Sequence, residues 1–125
     1  MRKLLVMVAV LSIAAGALAL EGKTVKLNGY VIDNACAAGR ATGDNPAEKV
    51  KAHSVKCAQM AKCADSGYAV FADGKLYKLD AGGNKKVADI LKNTKVDKGV
   101  AVDVEGTVEG DTLTVKKISE APAAK

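Results

Sequence analysis

Three cysteines, Cys36, Cys57 and Cys63, and the only histidine, His53, all fall between residues 33 and 67 of a 125-residue chain. Thiols and imidazole hold soft metal ions, form disulfides and act as nucleophiles. No other segment gathers such groups, so the function turns on what these four side chains do together.

Three chemistries are open to them. In the first, two thiols join in a disulfide that ties the segment to the rest of the domain, which stabilises by roughly 2–4 kcal/mol. Cys36 with Cys57 or with Cys63 is then the expected pair. Cys57 and Cys63, if both stand on one helix, have Cα atoms beyond the roughly 7 Å reach of a bridge. In the second, Cys36, His53, Cys57 and Cys63 are the ligand set of a Cys₃His zinc site, and thiolates equally suit Cu(I). An odd cysteine count also leaves one thiol that an oxidising compartment attacks unless something protects it. The H-x3-C and C-x5-C spacings lack the tight C-x2-C knuckle of common zinc modules. Met60 adds a soft thioether near Cys57, although packing is the commoner role of such a methionine. In the third, a low-pKa cysteine beside His53 serves as redox centre or nucleophile. There is no C-x-x-C, no C-x-x-C-H and no second histidine, so a non-enzymatic binding protein is the favoured reading. Asp33, Asp65 and Asp73 adjoin turns, where capping and Asx-turns are commoner than acid–base catalysis.

The elements that must position these groups follow from periodicity. Residues 23–33 alternate, with Val25, Leu27, Gly29 and Val31 on one parity, which predicts a half-buried strand with a bend at Gly29. Residues 37–45 read as loop. A helix is expected over 46–62, with Asn45 as cap, Pro46 at the first position and Glu48 three after the cap. On it His53 and Cys57, four apart, share a face. Cys63 joins them only if the helix unwinds near Lys62, and Cys36 comes from the preceding loop. Asp73-Gly74 marks a type I′ hairpin between strands carrying Tyr68, Val70, Leu76 and Tyr77. A short helix begins at Asn84 with the stripe Val87, Ile90 and Leu91. Two strands close the chain, one with Val100, Val102 and Val104, the other with Leu113 and Val115, joined at Glu109-Gly110-Asp111. Five strands with a helix between the third and fourth match a mainly β, OB-like Greek-key barrel, and the Cys/His-bearing helical insertion lies between strands 1 and 2.

Outside this domain, Arg2 and Lys3 precede an apolar run over residues 4–20 that contains Ala17-Leu18-Ala19. A charged start, an apolar stretch and an A-x-A site predict a signal peptide over residues 1–19 and a periplasmic or secreted protein. The run is at the short end of the roughly 17–25 residues that span a bilayer, so no stable membrane anchor is expected after cleavage. Residues 20–118 then form one domain, and residues 119–125, SEAPAAK, a disordered tail. Loss of Arg2 and Lys3 takes the formal charge from +5 to +3. The remaining positive residues are scattered, and the aromatics are Tyr30, Tyr68, Phe71 and Tyr77. Single-strand binders need a basic groove and stacking platforms, so nucleic acid is not an expected partner, and no protein partner is identified.

The strings G-Y-V-I-D-N-A-C, H-S-V-K-C-A-Q-M-A-K-C, D-G-K-L-Y-K-L and V-D-V-E-G-T-V-E-G-D-T-L-T-V resemble a broad family of small exported bacterial proteins, a domain of unknown function. That resemblance covers nearly all of the mature chain. It implies an OB-like barrel, export, and Cys36, His53, Cys57 and Cys63 as the characteristic set, with no role assigned to them.

Overall fold

The structure, a computed structural model, describes residues 22–122. The expected signal peptide and residues 123–125 lie outside the described residues. Five strands, β1 (Lys23–Asp33), β2 (Tyr68–Ala72), β3 (Lys75–Leu79), β4 (Ala101–Glu109) and β5 (Thr112–Glu120), close into a barrel in the order β1-β2-β3-β5-β4. All pairings are antiparallel except β3 with β5. This is the OB-like arrangement expected from the order of strands.

β1 serves both halves of the barrel. Its residues from Lys23 to Tyr30 pair with β4, and those from Tyr30 to Asp33 pair with β2. Gly29 sits at the handover, where a Cβ would collide with the Phe71 carbonyl oxygen and press on Val70 and Ala72. The bend expected there therefore reflects close backbone approach. The expected hairpin is also present: Asp73 and Gly74 have φ of 51° and 75° between β2 and β3, the positive values a type I′ turn requires.

Alternation along the strands builds two apolar layers. Val31, Val70, Val102, Val104 and Leu113 fill the barrel, with Val87 and Leu91 of helix α5 (Ala81–Asn93) packed among them. The opposite parity of β1 and β2 faces outward, and there Ile32, Ala69 and Phe71 pack against Ala37 and Val50 of the insertion. β2 is thus buried on both faces. Tyr68 and Phe71 belong to these cores, the packing role expected of them.

Among the described residues five helices are present where two were expected. Between β1 and β2 lie α1 (Asn34–Arg40), α2 (Pro46–Lys51), α3 (Val55–Ala58) and α4 (Ala61–Asp65). The stretch read as loop begins inside α1, because Asp33 caps an alanine-rich turn whose helix propensity outweighs Gly39. The helix expected over 46–62 is broken twice. His53 and Ser54 leave it to pair with the connection between α5 and β4: Val55 N–H donates to Asp97 O (2.8 Å) and Gly99 N–H to His53 O (3.1 Å). Met60 is extended and begins the next helix. Tertiary hydrogen bonds thus replace those of a continuous helix. Pro46 opens α2 as expected, but Asn45 has φ of 51° and makes no side-chain cap bond.

α5 starts three residues before Asn84. Asp80 caps it by accepting from Gly83 N–H (3.0 Å) and also holds Val115 N–H of β5 (3.2 Å). Gly83 is needed here, since a Cβ on it would strike Val115. Asn84 instead accepts from Tyr68 N–H (2.8 Å). Ser119 and Glu120, expected to lie in a tail, instead pair with β4, and Ala121 N–H donates to Ala101 O. Among the described residues, no helix is long and apolar enough to cross a membrane.

Candidate metal centre

Each cysteine of the insertion occupies the third position of a short helix. Asp33, Ser54 and Met60 are the residues before α1, α3 and α4, and Cys36, Cys57 and Cys63 stand three residues after them. Two of these starts are capped by side chains: Asp33 Oδ2 accepts from Cys36 N–H (2.9 Å) and Ser54 Oγ from Cys57 N–H (3.1 Å). Oxygen caps of this kind typically contribute about 1 kcal/mol each, and here they also aim the first turns that carry the sulfurs. The ends of the insertion are stitched together as well. Asn34 N–H donates to Gly67 O, Ala35 N–H to Ser66 Oγ and Ser66 Oγ–H to Cys63 O. Gly67, at φ 81°, turns the chain into β2 just past α4.

The result is that Cys36, Cys57 and Cys63 converge, with sulfurs all within 4.8 Å of one another. All three are free thiols, and two of them, Cys36 and Cys57, are half-buried while Cys63 is buried. The distance objection to Cys57 meeting Cys63 assumed one helix; the break at Gln59–Met60 removes it. His53 is brought close too, but into a different group. It joins Cys36 and Asp33 within the same 4.8 Å span, not the three sulfurs. The shared face expected for His53 and Cys57 does not exist, since His53 lies in the connection between α2 and α3. Met60, considered for packing or a thioether contribution, is 58% exposed and is the residue from which α4 starts.

Asp33 performs the capping expected of it and a second task that sequence reasoning missed. Its Oδ1 is 2.6 Å from His53 Nε2, with Asp33 0% and His53 4% exposed. The partners are twenty residues apart in the chain, and nothing in local spacing links them. The legible signal was the D-x-x-C string itself. His53 Nδ1, on the other side of the ring, is buried and has no hydrogen-bond partner.

The electrostatics follow from this packing. Burial would raise the Asp33 carboxyl, yet the Cys36 N–H and His53 together outweigh it and hold its pKa below 3.8. The anion so stabilised acts on the thiols. Burial first, then the Asp33 charge and the neighbouring Cys57, push Cys36 up to about 12. Burial and Asp33 likewise raise Cys63 above its ordinary value, and burial raises Tyr68, whose hydroxyl donates to Ala58 O (3.1 Å) at the end of α3. Without a cation, then, Cys36 and Cys63 keep their protons at neutral pH. A metal ion reverses that preference, because coordination requires thiolates and displaces their protons. The arrangement can therefore take up a soft cation in exchange for protons, or, given a two-electron oxidant, form a disulfide with loss of two hydrogens.

No family model, no curated protein and no solved structure matches this chain.

Proposed function

We propose that this protein is a non-enzymatic metal-binding protein that holds one soft transition-metal ion, copper or zinc, at the cysteines of its insertion. The observation that carries this reading is the convergence of three sulfurs beside a buried Asp33–His53 pair. At a metal–sulfur distance of about 2.3 Å, three thiolates around one ion stand about 4 Å apart. The sulfurs, within 4.8 Å of one another, need only a small contraction to reach that spacing. Their softness selects copper or zinc over magnesium or calcium.

Export belongs to the same proposal and is supported by the charged, apolar and A-x-A segments at the start of the chain. So does membership of the family of small exported proteins, which rests on the Cys/His strings together with the hairpin and final strand-pair strings. The test is the metal content of protein prepared anaerobically. The parent protein is expected to carry about one ion per chain and Cys57→Ser clearly less, because that variant leaves only two of the three thiolates to hold it. Equal content in the parent, Cys57→Ser and His53→Ala proteins would overturn the reading.

A second reading, in which Cys36 joins Cys57 or Cys63 in a structural disulfide, is supported by the same group of sulfurs, which would have to close from the present spacing within 4.8 Å. Protein of that kind carries no ion, is two hydrogens lighter than the reduced chain and melts lower in the presence of a reductant.

A further inference from the structure

The copper and zinc alternatives differ in how many ligands they need, and the geometry of the cluster bears on the choice. Zinc in protein sites is almost always four-coordinate, whereas Cu(I) is satisfied by a small number of soft thiolates. Among the His, Cys, Asp and Glu donors of the described residues, the three sulfurs form one group, and a His53 nitrogen and an Asp33 oxygen form another with Cys36. Those donors are also engaged with each other. His53 Nε2 and Asp33 Oδ1 share a 2.6 Å hydrogen bond, and Asp33 Oδ2 holds the Cys36 N–H. His53 is further fixed through its backbone, because its carbonyl accepts from Gly99 N–H and its N–H donates to Val50 O. A zinc ion would have to bring the unpartnered His53 Nδ1 into the sulfur group, against the backbone bonds that fix that residue, or take a water at the half-buried face of Cys36 and Cys57. Cu(I) requires neither.

Resting on the metal-binding reading above, we infer that the ion is Cu(I), held three-coordinate by the Sγ atoms of Cys36, Cys57 and Cys63. His53 is then a positioning residue. It orients Asp33 through their hydrogen bond, and Asp33 in turn sets the first turn of α1 on which Cys36 stands. The thiol protons leave on binding, so the product is a Cu(I)–trithiolate with no change in the oxidation state of copper or sulfur.

The experiment is an anaerobic titration of the full mature chain with Cu(I), supplied from a competing chelator, and separately with Zn(II). X-ray absorption at the copper edge reads the neighbours of the bound ion. One Cu(I) per chain with only sulfur neighbours is expected, with Zn(II) failing to displace it. His53→Gln, which keeps a side-chain N–H donor for Asp33, and His53→Ala are both expected to retain the all-sulfur signature. Far-UV circular dichroism establishes that each variant is folded, and His53→Gln stands in if His53→Ala is not. A nitrogen neighbour that disappears in the His53 variants would overturn the inference, as would Zn(II) binding that displaces Cu(I). In either case the metal-binding reading survives. If neither ion binds the folded parent chain, both fail together.

Discussion

Asp33 holds three positions at once: it ends β1, it caps α1 through the Cys36 N–H, and it pairs with His53. Being fully buried, it can keep its charge only because those partners are present. Asp33→Asn keeps an oxygen for the cap but loses the negative charge that accepts the hydrogen bonds of the Cys36 N–H and the His53 ring. We expect it to lower stability at pH 7 by about 1–3 kcal/mol, measured as a shift in the urea midpoint. The acid side provides a sharper test. The folded-state pKa lies below the ordinary 3.8, so as pH falls the unfolded chain takes up the proton first. This group's contribution is complete above 3.8 and is lost as pH drops through the folded value. The parent protein should therefore lose stability over that acid range, and Asp33→Asn should show a flatter limb; equal slopes would mean that Asp33 is not held as an anion.

At the level of elements, the insertion is positioned by the connection between α5 and β4. Gly99, at φ 66°, lets that connection lie against α2, and a Cβ there would come within 2.6 Å of Lys51 O. Gly110 has nearly the same φ, 63°, but open space around it. The pair therefore separates backbone strain from collision. Gly110→Ala is expected to cost about 1–2 kcal/mol, the left-handed penalty alone. Gly99→Ala should cost more, and should also speed amide exchange at Val55 and Gly99, whose N–H groups make the bonds across this contact. Equal costs for the two substitutions would show that the contact with Lys51 yields freely. Tyr68 and Gln59 supply two further ties, to Ala58 O and from α3 to Leu91 O of α5.

In the molecule as a whole, two apolar layers share β2, one inside the barrel and one between the barrel and the insertion. The barrel closes by strand pairing alone, whereas the four short helices between β1 and β2 are too short to be stable by themselves. Metal binding should therefore protect the two regions unequally. Added ion is expected to slow hydrogen exchange across residues 34–66, with the amides of β4 and β5 unchanged under conditions where exchange is local. A chelator should reverse that gain and lower the melting temperature, since a ligand bound a thousandfold above its Kd stabilises by about 4 kcal/mol. Uniform protection over the whole chain would mean that barrel and insertion open as one unit.

Period-two alternation determined the strands, and their order determined the barrel, because Val25, Leu27 and Val31 must turn one way and the turn at Asp73-Gly74 admits one kind of hairpin. The four chemistry-bearing residues were equally plain, since no other part of the chain holds a thiol or an imidazole. What sequence alone left open was their grouping. His53 and Cys57 have helical spacing, but hydrogen bonds from the connection between α5 and β4 are made with residues forty or more positions away, and those bonds break the helix between them. The same contacts deliver His53 to Asp33 and leave the three sulfurs to each other. Local periodicity reports which face a residue occupies within one element; which elements meet, and so which side chains share a site, was decided by long-range packing.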